Sequence, residues 1–246
     1  VTHSDVPVMS SFKSDDELLN WLYETYIRTQ LDNMHCGIPS DCPHIEKRGY
    51  TGDGELVCEC AMMLLDSRKF YKKWIGDIFD CQDQVSGHVQ YTAPYLHSGG
   101  GPGGWGCAIA EVPYMYYKTY GDSSALEESL QRTLRYFDYL EAHSENGLVV
   151  SDQKGEWCLG DWCTPEDIKI PEPFVNTYFY VKTINRLLEF CEILGKPELR
   201  EKLVSLAEKK KSAIARKYYK PETGDFADNI QGANAFAVDI GLGDER

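Results

Sequence analysis

The sequence predicts an all-α protein, an (α/α)6 toroid or barrel of which about eight of the twelve helices are present. Three observations carry this. Apolar residues recur at helical spacing through most of the 246 residues, no segment alternates convincingly as an internal strand, and the helical stretches come in pairs with short links, separated by long Gly- and Pro-punctuated loops. Inner and outer helices of a toroid alternate in this way, with functional loops gathered at one rim. A superhelical array would also pair its helices, but no fixed-period repeat of the ankyrin or tetratricopeptide kind is present.

Element by element, Val6, Pro7 and Val8 read as extended chain. Ser14-Asp15-Asp16-Glu17 reads as a capping box ahead of Leu18, Leu19, Leu22, Tyr23 and Tyr26 at helical spacing. A loop over about 36–53 leads to helices near 54–65 and 68–86, the second carrying Phe70, Trp74, Ile75, Ile78 and Phe79. After a glycine-rich loop come helices near 105–120 and 124–143, the latter opened by Ser124-x-x-Glu127. An irregular stretch over 144–171 precedes helices near 173–194 and 197–218, with Pro197 at an N-terminal position. A last helix starts near 230 and ends at Gly241 and Gly243.

Composition narrows the function classes. Hydrophobic residues make up 42% and charged residues 26%, the balance of a globular chain, and the net charge is −14. Without clustered Lys and Arg, phosphate-backbone binding is disfavoured, so no nucleic acid is expected as partner. The one dense cationic run, Glu208 to Lys211, reads as a solvated helix face. No apolar run approaches ~20 residues, so no membrane partner is expected, and a soluble protein of cytoplasm or periplasm is anticipated. The nine cysteines are odd in number and scattered, reading as free buried thiols rather than a disulfide framework or a zinc site. No metal and no cofactor are expected. The start at Val1, without initiator Met or leader, reads as an excised segment.

The densest chemistry lies in Pro39-Ser40-Asp41-Cys42-Pro43-His44-Ile45-Glu46-Lys47-Arg48-Gly49-Tyr50-Thr51-Gly52-Asp53. Three carboxylates sit in a segment stiffened by two prolines, where Gly49 and Gly52 would permit sharp turns. Such a loop can aim Asp41, Glu46 and Asp53 into one cavity. Asp53 also fits an N-cap for the next helix. A charged surface loop, its carboxylates capping helices and pairing with Lys47 and Arg48, is the plainer alternative.

The run D-C-P-x-x-E-K-R-G-Y-T-G-D resembles the signature of the α-L-rhamnosidases of glycoside hydrolase family 78. Gly104-Trp105-Gly106-Cys107-Ala108 through Val112-Pro113-Tyr114 and Tyr120-Gly121-Asp122, and Gly160-Asp161-Trp162, are similar to further segments of that family. The likeness covers nearly the whole chain from about Ser10. It implies an (α/α)6 barrel over residues 13–246, with 1–12 as the exit from an upstream β-domain. It also implies inverting hydrolysis of terminal α-L-rhamnose, with a rhamnose-containing glycoside or polysaccharide as partner. Glu46 would be the general acid, Asp41 and Asp53 would contact sugar hydroxyls, Tyr50 would stack on the ring, and Trp105 would form an aromatic wall. Asp161 would line the same pocket through the Gly160-Asp161-Trp162 segment, and Trp157 and Trp162, in a loop rich in Gly and acid, read as pocket lining or as simple packing. Ile45 and Cys107 depart from the family, which has Arg and Asp there; Glu111, one turn after Cys107, could replace the lost carboxylate.

Inverting chemistry needs one protonated carboxylic acid and one basic carboxylate, ~6.5–9.5 Å apart. Burial, Asp41 and Asp53 are expected to favour the neutral form of Glu46, with Lys47 and Arg48 turned outward. The resemblance places the base in a late Trp-Glu segment, expected beyond residue 246. A toroid hydrolase of another sugar and a non-catalytic carbohydrate-binding module are the competing functions.

Overall fold

The computed structural model describes residues 4–96, 102–156, 158–161 and 169–243. Eight helices run through them: α1 (Glu17–Asp32), α2 (Thr51–Leu64), α3 (Arg68–Cys81), α4 (Ala108–Tyr120), α5 (Leu126–Ala142), α6 (Glu172–Leu194), α7 (Pro197–Tyr218) and α8 (Gln231–Asp239). The α2–α3, α4–α5 and α6–α7 links are short, as predicted. Gly121 and Gly195 end α4 and α6 in left-handed geometry, and Pro197 opens α7.

Packing separates two layers. Helices α2, α4, α6 and α8 follow one another side by side, each touching the next. Helix α3 packs behind α4, α5 behind α4 and α6, and α7 behind α6. The inner helices carry the burial: Ala108 through Tyr114 of α4 are buried without interruption, while α5 buries one stripe built on Leu126, Leu130, Tyr136, Phe137 and Leu140. The N-termini of α2, α4 and α6 follow long loops, and residues of these loops and helix starts line one cavity.

The structure corrects several expectations. Strands are present: β1 (Met34–His35) pairs with β2 (Ile38–Pro39), β3 (Ser144–Glu145) with β4 (Leu148–Val149), and β5 (Tyr219–Lys220) with β6 (Asp225–Phe226), all antiparallel. Each hairpin links a preceding helix, α1, α5 or α7, to the next inner one, α2, α6 or α8. Helix α1 is capped by Asp16, whose Oδ1 accepts from Leu18 and Leu19, rather than by Ser14. Helix α5 starts at Leu126 with no side-chain cap. Its predicted opener Ser124 instead donates its amide to Asp122. Helix α3 ends at Cys81, five residues before the predicted limit. Leu18, Leu19 and Leu22 of α1 are on the surface. Within the cationic run, Lys210 is fully buried, 2.5 Å from Glu141 and with its ammonium 4.8 Å from the Tyr180 ring centroid. Only Glu208 and Lys209 of that run are fully on the solvated face. The eight described cysteines are free, but only Cys58, Cys107, Cys158 and Cys191 are buried, and Cys36 and Cys60 are exposed; Cys163 lies outside the described residues. No helix among the described residues is long and apolar enough to cross a membrane.

Candidate active site

The site is built where the N-terminus of α2 meets the loop before α4. Thr51 donates its amide to Tyr91 O at 2.7 Å, Ala93 donates to Gly49 O at 2.9 Å, and Tyr50 bridges Thr92. These contacts pin the 41–50 loop to the 91–93 strand-like segment. Trp74, fully buried beneath it, donates its indole N–H to Ala93 O at 2.9 Å. Gly52 lies so close to Trp105 that a Cβ there would approach the indole to 2.9–3.0 Å. Close approach, not turning, is thus what Gly49 and Gly52 supply; the sharp turn falls on Lys47, at φ 56°.

A cavity of about 360 Å³ opens there, within the range of small-ligand sites. It is lined by Asp53, Glu55 and Leu56 from α2, Trp105, Asp161, and the apolar Val175, Phe179 and Phe236. Three predicted residues, Asp53, Trp105 and Asp161, therefore share one hollow. Asp161 Oδ2 accepts the Ile170 amide at 3.0 Å, which fixes its loop against the start of α6. A second cavity of about 290 Å³, between α1 and α2, brings Asp41 to Asp53. Trp157 and Trp162 lie outside the described residues, as does His97.

Asp53 sits in the first turn of α2 rather than at its N-cap, which is Tyr50. Burial of its surroundings raises its pKa, its own backbone hydrogen bond opposes, and the negative charges of Asp41 and Glu46 add to the rise. The side chain still reaches solvent, which screens these effects. Asp41 closes its own loop: Oδ1 accepts from Arg48 N at 3.2 Å and Oδ2 from the Cys42 thiol at 3.0 Å.

Glu46 is exposed on that loop, as are His44 and Ile45, and lines neither cavity. The burial expected around it is absent. Its neighbour is Tyr50, whose phenol pKa is raised by burial first and then by Glu46, while Arg48 pulls the other way. Arg48 consequently faces Tyr50 instead of pointing outward; Lys47 is exposed.

The acid of this site with the most strongly raised pKa is the half-buried Glu55. Burial pushes its carboxyl up to about 7, the charge of Glu111 adds to this, and Lys182 and Arg186 oppose it. Glu111 in α4 receives the Arg186 Nε at 2.9 Å, and Arg186 also donates to Glu189 at 2.6 Å with its guanidinium 3.7 Å from the Tyr114 ring centroid. Cys107 is buried and donates its thiol to Gly104 O at 2.9 Å. The carboxylates whose charge reaches Cys107 are Glu55 first and then Glu111, the latter anchored by Arg186.

The sequence matches the model of the bacterial α-L-rhamnosidase six-hairpin glycosidase domain over residues 7–246. The chain belongs to this family. An α-L-rhamnosidase of Formosa agariphila is 33% identical over 194 residues, 72% of this chain and 20% of the relative. One from Streptomyces avermitilis is 30% identical over 197 residues, 80% of this chain and 18% of the relative. The chain therefore spans about a fifth of the length of these rhamnosidases. Among solved structures, the Streptomyces avermitilis α-L-rhamnosidase complexed with L-rhamnose superimposes with a TM-score of 0.88 at 26% identity, covering 99% of this chain and 23% of that one. The Dictyoglumus thermophilum α-L-rhamnosidase gives 0.83 at 26% identity, over 97% and 27%.

Against this rhamnosidase-domain background, Glu55 is the residue that motif reading passed over. The signal was available: Gly52, Glu55 and Leu56 fall at i, i+3 and i+4 on one helical face, and the motif already put Gly52 at the site.

Proposed function

We propose that this domain forms one side of the saccharide cleft of an enzyme that hydrolyses terminal α-L-rhamnose with inversion, Glu46 serving as general acid. The observation that supports it best is the convergence of Asp53, Trp105 and Asp161 on one cavity of about 360 Å³, in a chain of the rhamnosidase-domain family. An indole beside carboxylates suits a pyranose: the ring's C–H face packs on the aromatic, and its hydroxyls donate to the acids.

In the proposed reaction the Glu46 carboxyl gives its proton to the glycosidic oxygen as the C1–O bond breaks. Positive charge grows on the sugar ring, and a water deprotonated by a second carboxylate adds to C1 from the opposite face. Asp41 and Asp53 place negative charge near that centre. A saccharide seated beside Tyr50 would exclude water from Glu46, the condition its acid role needs.

The test is Glu46→Gln in the full-length polypeptide, assayed on p-nitrophenyl α-L-rhamnopyranoside. Loss of a general acid lowers kcat by about 10²–10⁴-fold with KM little changed. Turnover near that of the unaltered enzyme would remove Glu46 from this role.

A further inference from the structure

Of the cavity carboxylates, Glu55 and Asp161 are half-buried and Asp53 is exposed; Asp161 already accepts the Ile170 amide. On α2, Glu55 lies one turn beneath Gly52, which underlies the Trp105 indole, a drop of about 4.5 Å along the helix axis. Among the described residues no hydrogen bond or ion pair engages its carboxyl. A carboxyl placed in a cavity wall without a partner carries a desolvation cost, and a ligand polar group arriving there would relieve it.

We propose that Glu55 is a further saccharide-contacting residue, hydrogen-bonding a sugar hydroxyl from the cavity wall one turn below Trp105 and so helping to decide which sugar is accepted. This rests on the saccharide-cleft reading above and adds a contact to it. The groups facing Glu55 come from three elements. Asp53 and Cys58 share α2, Glu111 lies on α4 with Cys107 at its N-cap, and Lys182, Arg186 and Tyr178 lie on α6. Burial raises the pKa of Glu111, while Arg186, paired with it at 2.9 Å, and Lys182 favour its ionised form. The Arg186–Glu111 pair therefore lies within electrostatic reach of Glu55. With its carboxyl near 7, Glu55 changes from donor to acceptor within the neutral range. A hydroxyl can meet either form, but with different strength, so sugar affinity depends on pH there.

The experiment uses the full-length polypeptide, L-rhamnose titrated calorimetrically between pH 6 and 8, and KM and kcat for p-nitrophenyl α-L-rhamnopyranoside. Glu55→Gln keeps shape and a donor; its affinity is expected to stay within about threefold of the unaltered protein at pH 6 and to lose its pH dependence. Glu55→Ala removes the contact and should weaken rhamnose binding about tenfold, the size of one lost hydrogen bond, and raise KM more than it lowers kcat. Folding of both is checked by circular dichroism. Rhamnose affinity unchanged in folded Glu55→Ala, or a pH profile of Glu55→Gln identical to that of the unaltered protein, overturns the inference while leaving the cleft reading in place. Failure of the unaltered protein to bind or hydrolyse any rhamnoside overturns both.

Discussion

A carboxyl that titrates near 7 alters the stability of the chain as well as its chemistry. Glu55 has an ordinary carboxylate pKa of 4.5 when unfolded and about 7 in the fold, burial being the first cause and Glu111 the second. Between those values the folded chain binds more proton than the unfolded one, so stability falls as pH rises through this window and levels above it. Glu55→Gln cannot ionise and escapes that loss. In urea titrations the variant should match the unaltered chain near pH 4.5 and exceed it at pH 8 by on the order of 1–3 kcal/mol, discounted because the side chain is only half-buried. Equal stability at pH 8 would mean that the carboxylate is well solvated in the fold. Lys210 shows the same rule with the other sign: burial lowers its pKa and Glu141 opposes. The place of Glu55 on the site face was readable from helical spacing, but its raised pKa was not, since that depends on burial, on Glu111 of α4 and on Lys182 and Arg186 of α6. Lys210, amid Lys209 and Lys211, read as solvent-facing, and only its contacts with Tyr180 of α6 and Glu141 of α5 account for its burial.

At the scale of single elements, α2 is the most constrained. A Cβ on Gly54 would fall 2.2 Å from Trp74 Cη2 and 2.8 Å from Pro39 Cγ. The Trp74 ring cannot retreat without losing its bond to Ala93 O. Gly54→Ala should therefore destabilise by roughly 1–3 kcal/mol through overpacking, more than the ~1 kcal/mol that alanine gains over glycine in a helix. A methyl group added at Gly76 in α3 would meet nothing within 4 Å, and Gly76→Ala should stabilise by about 0.5–1 kcal/mol. Urea midpoints of the two variants should move in opposite directions; a shared direction would contradict the steric account. The helices themselves were readable because each buries a periodic apolar stripe, as Phe70, Trp74, Ile75 and Ile78 do in α3. The hairpins were not, because strands of two residues carry no period. Their turns did carry a signal. Cys36-Gly37 and Asn146-Gly147 place both central residues at positive φ, at 53° and 74° and at 52° and 89°, the type I′ geometry that an Asn-Gly pair favours. Of the cavity lining, Asp53 was read from the 41–53 motif and Trp105 from the separate Gly104-Trp105-Gly106 segment. Glu46 was expected in the same cavity and instead is exposed on the 41–48 loop, which closes on Asp41 and turns at Lys47.

For the whole molecule, cohesion runs through α6. Its Tyr180, Ile184, Leu187 and Phe190 belong to the apolar cluster of α1 to α5, and its Phe174, Val175, Tyr178 and Val181 to the cluster with α8 and the β5–β6 hairpin. Against this stands a net charge of −14, which repels itself more in the compact state than in the unfolded one. Salt screens that repulsion, and it also screens favourable pairs such as Lys72–Asp122, Lys196–Glu127 and Arg200–Glu192. These pairs are largely exposed and worth about 0–1 kcal/mol each at low salt. Two further cation pairs, Arg186–Glu111 and Lys210–Glu141, each hold one buried partner, at 2.9 and 2.5 Å, where screening is weak. Relief of repulsion should therefore win. Raising NaCl from about 10 to 300 mM, which shortens the Debye length from roughly 30 Å to under 10 Å, should shift the urea midpoint at pH 7.5 upward. The gain expected is on the order of 1 kcal/mol. A midpoint that falls with salt would show that the surface pairs outweigh the excess negative charge.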